Sequence, residues 1–181
     1  MRLTSWHIFT GTLVAYLLAS FPASPFNEHV YQAAAFLHGH FYLWDSNLHE
    51  VIAVGNRAYI VDPGLLGGLL MIPSVLIQGL RASEGLVCML LGALGVALAY
   101  RLTSNLWITA FLAFGTVYWY ESILGAQWGF CLVLSTIPTL LALIALKEHW
   151  SPYLVGLFAG LAFLARYDLA LAWPVYLCLV D

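Results

Sequence analysis

The sequence predicts an all-α polytopic membrane protein, and three observations support this prediction. Of the 181 residues, 62% are hydrophobic and 8% are charged, whereas about 25% of the residues of a soluble domain are charged. The mean hydropathy is +0.89. Apolar runs close to the ~20 residues that cross a bilayer recur along the chain. A soluble fold would leave much of this apolar surface in water, so a bilayer is the expected solvent.

The predicted elements form a single transmembrane unit over residues 1–181. A first span at 3–21, read as uncleaved rather than as a signal peptide, leads into a long polar loop at 22–63. Residues 64–80 are apolar but interrupted by Gly and Pro, which favours a broken or re-entrant helix. Further spans are expected near 85–100, 106–119, 128–146, 153–165 and 169–181. The last of these is too short to cross a bilayer, so we expect the chain to be the first part of a longer protein.

The orientation depends on whether residues 64–80 cross the membrane. Both arrangements put three Lys or Arg residues on each side, so the positive-inside count does not decide between them. If this segment does not cross, Glu28, Glu121, Arg166 and Asp168 share one face with the long loop. We favour this arrangement because it gathers the ionisable groups on the extracytoplasmic face.

Composition also excludes several classes of function. The net charge is −3 and no basic patch is present, so a nucleic-acid partner is not expected. Cys88, Cys131 and Cys178 each lie in an apolar run and are interpreted as small packed residues. The histidines and cysteines show no metal-binding spacing, so no metal site is predicted and a divalent cofactor is not indicated.

The start of the polar loop contains the first candidate for chemistry. Asn27 can cap a helix, and Glu28 is favourable in its first turn. The structural interpretation of Glu28 is therefore an ordinary helix start. The functional interpretation is a general base at the membrane surface, where an apolar environment raises the pKa of a carboxyl group.

Three other places carry candidate residues, each with an ordinary structural interpretation. Arg57 can bind a phosphate or be an interfacial residue in a turn. Glu121 follows three aromatic residues typical of an interface, but an acid near membrane depth is costly and usually functional. Arg166 can bind a phosphate or pair locally with Asp168.

The order of weak motifs along the chain resembles the N-terminal half of the GT-C glycosyltransferases, which include protein O-mannosyltransferases and aminoarabinose transferases. The resemblance rests on Asn27-Glu28-His29 after the first span, on Gly55 to Tyr59 with Asp62-Pro63-Gly64, and on the runs 91–98, 114–120 and 156–166. It covers nearly the whole chain. The family's acidic motif is often Asp-Glu or a lone Asp, and Asp62 stands where a proline is expected.

The resemblance implies a GT-C-like helical bundle whose long first extracytoplasmic loop carries short surface helices. It implies transfer of a sugar from a polyprenyl-phosphate donor to a lipid, glycan or protein acceptor, on the outer face of a multi-pass plasma-membrane enzyme. Glu28 would be the catalytic base and Glu121 the second acid. The residues expected to bind substrate are His29, Arg57, Tyr59, Asp62, Arg166 and Asp168. No cofactor is required, because a polyprenyl phosphate is a good leaving group.

Two other classes of function remain open from the sequence. A transporter or channel fragment would also contain broken helices and charges at membrane depth. A non-catalytic membrane scaffold would use Glu28 only at a helix start. A mid-membrane water path past Glu121 and Arg166 would favour the transporter, and a surface cleft would favour the transferase.

Overall fold

The computed structural model describes residues 3–20, 27–43, 51–60, 65–125 and 127–179. This part of the chain is mostly helical, with one antiparallel hairpin of two strands. The elements are α1 (Ser5–Ala19), α2 (Glu28–Leu37), β1 (Val51–Val54), β2 (Arg57–Ile60), α3 (Leu65–Gln78), α4 (Glu84–Thr103), α5 (Leu106–Gly115), α6 (Val117–Leu124), α7 (Gln127–Lys147), α8 (Pro152–Ala165) and α9 (Trp173–Leu179).

Helices α4 and α7 lie parallel at the centre of the bundle. At their N-terminal ends, a Cβ added to Gly125, just before α7, would lie 2.3 Å from Cα of Gly85. At their C-terminal ends, Arg101 contacts Glu148 at 2.8 Å. We call the end that contains Gly85 and Gly125 the capped end, and the end that contains Arg101 and Glu148 the basal end. Buried Cys88, Val96, Phe130 and Val133 belong to the apolar cluster between them.

The remaining long helices surround this pair. Tyr100 of α4 donates to the carbonyl of Leu3, which sets the start of α1 at the basal end. Tyr16 of α1 donates to the carbonyl of Ala113 in α5 at 3.0 Å. Helices α5 and α6 are separated at Thr116, whose hydroxyl accepts from the backbone N–H of Tyr118. Together α5 and α6 run from the basal end to the capped end in place of the predicted span at 106–119.

Helix α3 does not run the length of the bundle. Near its start, Gly67 touches the ring of His29. Just after the short helical turn that follows it, Glu84 contacts the same ring at 3.3 Å. Both ends of this segment therefore lie at the capped end, where α3 packs against α2.

The strands β1 and β2 are a difference from the sequence prediction, which expected only short helices in the loop. They pair with Val51 opposite Ile60 and Val54 opposite Arg57, and Gly55 makes the turn with φ of 62°. Buried Ala35, Leu43 and Ala58 attach the hairpin to α2.

In the part of the chain that the structure describes, two helices are long and apolar enough to cross a membrane, Glu84–Thr103 and Gly129–Lys147. They coincide with the predicted spans near 85–100 and 128–146. The other apolar helices in the described ranges are shorter. Large apolar side chains are nevertheless exposed along the outside of the bundle, among them Leu18, Trp107, Phe111 and Tyr153. An outer surface of this kind is typical of a protein that contacts lipid or another protein.

Candidate functional site

Three polar side chains meet inside the capped end, each from a different helix. His29 comes from α2, Glu84 from the first turn of α4 and Cys131 from α7. His29 Nδ1 lies 3.3 Å from Glu84 Oε2, and His29 Nε2 lies 3.3 Å from Cys131 Sγ. All three residues are at most 1% exposed. We call Glu84, His29 and Cys131 the buried triad.

The carboxyl group of Glu84 connects two helices. Its Oε1 accepts a hydrogen bond from the backbone N–H of Val30 at 3.1 Å, and its Oε2 faces the His29 ring. Since an ionised carboxylate only accepts hydrogen bonds, His29 Nδ1 is the donor to it. Glu84 thereby connects α4 to the first turn of α2, where the backbone N–H of Val30 also donates to the carbonyl of Asn27 at 3.1 Å.

Two opposing effects act on the pKa of His29. Burial lowers it, while the hydrogen bonds with Cys131 and Glu84 and the charges of both groups raise it, and the result is a rise from 6.5 to about 10. The local contacts therefore favour the protonated imidazole. Gly67 of α3, which carries no charge, also lies against the ring.

Glycines in α3 allow α2 to approach closely. A Cβ at Gly67 would lie 2.2 Å from His29 Cδ2, and a Cβ at Gly68 would lie 2.4 Å from Gln32 Oε1. Any side chain at these positions would displace the buried ring or the amide. Small residues of α3 therefore determine where His29 and Gln32 sit.

Glu28 and His29 do not lie on the surface, contrary to the sequence prediction. Glu28 is 1% exposed and His29 is fully buried. Asn27 occupies the N-cap position of α2, but its side chain makes no capping hydrogen bond. Apolar contacts of α2 and the hydrogen bond from Val30 to the carboxyl group of Glu84 direct this end of the helix toward the interior of the bundle.

Glu121 lies at the same end of the bundle, on α6, and is partly exposed. Its carboxyl group covers Gly129 of α7, where an added Cβ would lie 2.2 Å from Oε2. Its backbone carbonyl accepts from the thiol of Cys88 at 3.5 Å.

Arg57 and Tyr59 are exposed on the hairpin. The guanidinium of Arg57 lies 4.6 Å from the centre of the Tyr42 ring, a cation–π contact, and the Tyr59 ring lies 6.5 Å from the same ring. Arg81, just before α4, is also exposed. Asp62 lies outside the described residues.

Arg166 and Asp168 form a local pair where α8 ends. Arg166 Nε and one terminal nitrogen donate to the two carboxylate oxygens at 3.0 and 2.8 Å. This is the pairing that the structural interpretation of the sequence expected. Helix α8 begins after the basal end of α7 and contacts α3, which lies at the capped end, so the pair at the C-terminus of α8 lies toward the capped end. The guanidinium helps to keep the pKa of Asp168 below its usual value.

Sequence reasoning missed two members of the buried triad. Cys131 was interpreted as an apolar packing residue, whereas its thiol contacts a histidine. Glu84 falls between the predicted segments at 64–80 and 85–100, and the sequence analysis assigns it no role. The available signal was its place in the first turn of a 20-residue apolar helix, since a carboxylate there needs a partner.

The described residues contain no group of three or more His, Cys, Asp or Glu side chains arranged to hold a metal ion. The chain matches no known protein family, no curated protein and no solved structure.

Proposed function

We propose that the chain is a membrane glycosyltransferase that moves a sugar from a polyprenyl-phosphate donor to a lipid, glycan or protein acceptor. The proposal puts it in the plasma membrane as a multi-pass protein with its site on the extracytoplasmic face. One observation carries the proposal. Glu121, Arg57, Arg81 and Arg166 all lie at the capped end, beside helices whose outer surfaces are apolar. A polyprenyl phosphate has the complementary form, an anionic head on an apolar chain.

The cations at the capped end supply the contacts for the donor phosphate. Arg57 and Arg81 are exposed, and Arg166 is about one-third exposed. An arginine holds a phosphate oxygen through two parallel N–H donors, which strengthens the contact and fixes its direction. The lipid chain would then extend along the apolar exterior of the bundle.

Glu121 is a better candidate than Glu28 for the residue that takes a proton from the acceptor. It is partly exposed, whereas Glu28 is 1% exposed. A general base must come within hydrogen-bonding reach of the proton it removes. In this proposal Glu28 supports the start of α2 and Glu121 meets the acceptor.

The reaction is a displacement at the anomeric carbon of the donor. Glu121 accepts the proton of the acceptor hydroxyl or amine, and the freed electron pair forms the new bond to the anomeric carbon. The bond from this carbon to the phosphate oxygen breaks, and the lipid phosphate leaves with the electron pair. The arginines stabilise the negative charge on that leaving phosphate.

Donor binding can be tested with a diazirine-labelled polyprenyl phosphate and the chain in proteoliposomes. Replacing both Arg57 and Arg81 with Gln should lower specific photo-crosslinking about tenfold, since each phosphate contact is charge-assisted. Replacing Arg101 with Gln, at the basal end, is the matched control and should leave crosslinking unchanged. Equal crosslinking in all three proteins, or crosslinks at the basal end, would contradict the proposal.

The assignment of the acid is tested in membranes that carry polyprenyl phosphate bearing a radiolabelled hexose or aminopentose. Glu121→Gln should abolish incorporation of label into lipid, glycan and protein fractions at unchanged protein level. Glu28→Gln should reduce it only as far as it reduces the amount of folded protein. Full transfer by the Glu121→Gln protein would remove Glu121 from this role.

A further inference from the structure

We propose that the basal end of the bundle binds one glycerophospholipid of the surrounding bilayer. The phosphate of this lipid lies beside His149 and Ser151, and one acyl chain occupies an apolar groove between α8 and α9. The site begins at the opposite end of the bundle from the residues proposed to act in sugar transfer, and it does not depend on them.

An apolar groove of about 460 Å³ runs along α8, and α9 forms its other wall. On α8 the groove is lined by small residues and on α9 by large ones, respectively Gly156, Ala159 and Gly160, and Trp173, Tyr176 and Leu177. The three small residues are three or four positions apart and therefore share one face of the helix. A Cβ added to Gly156 or Gly160 would meet no atom within 4 Å. The groove is therefore open at this face of α8.

A second cavity, of about 310 Å³, adjoins the groove at the basal end, and both cavities are lined by Pro152 and Val155. The lining of the second cavity includes three residues with polar side-chain atoms that connect α7 to α8, namely His149, Trp150 and Ser151. Both volumes fall in the range of about 300–1,000 Å³ that is usual for small-molecule sites. Together the two cavities form an amphipathic site, polar at the basal end and apolar along α8.

The two cavities follow one another in the direction in which a membrane lipid lies. The helix Gly129–Lys147 is long and apolar enough to cross a membrane, so the polar cavity just beyond its end lies at the depth of lipid head groups. Trp150 lines this cavity, and an indole is typical of that depth. From Pro152 to Gly160 the groove extends about 12 Å along α8, in the direction of an acyl chain.

The charges at the basal end favour a negatively charged head group. Glu148 already pairs with Arg101 at 2.8 Å. Lys147 donates to the carbonyl of Leu102, which is uncharged. These three charged side chains are two cations and one anion, so they leave a positive charge beside the polar cavity. No Asp or Glu of the described residues lines that cavity.

The polar cavity also presents hydrogen-bond donors to a phosphate. The imidazole of His149 and the hydroxyl of Ser151 can both donate. Ser151 occupies the N-cap position of α8, but its side chain makes no capping hydrogen bond, and the first turn of α8 contains no acidic residue. A phosphate accepts hydrogen bonds through several oxygens, and an anion is favourable beside the start of a helix. A glycerophospholipid combines this head group with the chain that the groove accommodates.

The experiment uses the full-length chain in proteoliposomes that contain phosphatidylglycerol with a diazirine in one acyl chain. After irradiation, peptide mass spectrometry should locate the adducts in the parts of α8 and α9 that line the groove. This map needs no variant. Adducts spread evenly over the outward-facing helices would overturn the proposal.

A variant that fills the groove tests the position of the acyl chain. Gly156→Leu combined with Gly160→Leu adds side chains to open space, so the protein should fold, and thermal unfolding in detergent checks this. Adduct formation should fall about tenfold, because the acyl chain loses apolar contact. Gly11→Leu in α1 is the matched control, since its added Cβ also meets nothing within 4 Å and it does not line the groove. Equal labelling of the parent and both variants would overturn the proposal.

A second variant tests the head group and leaves the groove unchanged. His149→Gln combined with Ser151→Ala should lower labelling by phosphatidylglycerol about tenfold, because hydrogen bonds to a charged group are strong. Labelling by a diacylglycerol with the same diazirine should not change, because that lipid has no phosphate. An equal effect on the two lipids, or no effect on either, would overturn the assignment of the phosphate.

Two further measurements distinguish the lipid from other occupants of the groove. An excess of unlabelled polyprenyl phosphate should not reduce labelling by phosphatidylglycerol, and displacement would assign the groove to the sugar donor. A Gly160→Cys protein without the native cysteines should stay monomeric on oxidation, and disulfide-linked dimers would assign the groove to a second copy of the chain. Either result would overturn the proposal without affecting the proposed sugar transfer.

Discussion

His29 and Glu84 are 55 positions apart in the sequence, yet Nδ1 of one lies 3.3 Å from Oε2 of the other, and neither side chain is exposed. This contact joins α2, at the start of the polar loop, to the first turn of the central helix α4. Burying either group alone would be costly, because neither could keep its hydration. The position of the loop at the capped end therefore depends on a specific polar contact as well as on apolar packing.

Glu84→Ala should be strongly destabilising. The change leaves Nδ1 of the buried His29 imidazole without its carboxylate partner, and the backbone N–H of Val30 keeps only the carbonyl of Asn27 as acceptor. Breaking a buried ion pair costs about 3–5 kcal/mol of unfolding free energy. Denaturant unfolding in detergent micelles, followed by circular dichroism, measures this loss.

Glu148→Ala is the matched control for that variant. Glu148 also pairs with a cation, Arg101, but both side chains are substantially exposed. Water and salt screen such a pair, so its loss should change the stability far less. Equal losses in the two variants would show that the buried position of Glu84 has no special importance.

The stability should fall as the pH rises through the alkaline range. The pKa of His29 is 6.5 in the reference state and about 10 in the folded protein, so between these values the folded state binds the proton and the unfolded state does not. This contribution is fully present below about pH 6.5 and is lost as the pH passes about 10. Thermal unfolding across this window measures it. His29→Gln should remove the part of the pH dependence of stability that His29 contributes. An unchanged slope of stability against pH in this variant would contradict the raised pKa of His29.

Gly67→Ala should destabilise the capped end. The new Cβ would lie 2.2 Å from His29 Cδ2, and the ring is held on both sides by Glu84 and Cys131. Overpacking of this kind costs about 1–3 kcal/mol. Gly156→Ala, in α8, is the control, because nothing lies within 4 Å of its added Cβ. The control should be neutral or more stable in thermal unfolding, and a Gly67→Ala protein as stable as the parent would contradict the close contact.

The sequence located the helices well because apolar runs are local features. The predicted runs near 85–100 and 128–146 lie within α4 and α7. The hairpin was missed although Gly55-Asn56 between two β-rich runs is a recognised hairpin signal. The buried triad could not be predicted, because it joins residues up to 102 positions apart on three helices. The spacing of residues within one segment does not show which residues of other helices they contact.

The path of α3 gives a prediction about membrane topology. Asn56 lies in the exposed turn before it and Arg81 is exposed just after it. Gly67 and Glu84 both contact His29, so the two exposed positions belong to the same end of the bundle. Single cysteines at Asn56 and Arg81, in a chain without its native cysteines, should react with an impermeant maleimide from the same side of a sealed vesicle.

Ser104 provides the opposite reference point, because it is exposed at the basal end, immediately after α4. A predominantly apolar helix of 20 residues separates it from Arg81, and this length is sufficient to cross a hydrocarbon core of about 30 Å. Ser104→Cys should therefore be labelled only from the other side. Labelling of Asn56→Cys and Arg81→Cys from opposite sides would mean that α3 crosses the membrane. Labelling of all three from one side would mean that α4 does not cross. A bundle in which Arg57 and Arg81 face the same aqueous phase requires one pattern only. Asn56→Cys and Arg81→Cys are then labelled from one side of the membrane, and Ser104→Cys from the other.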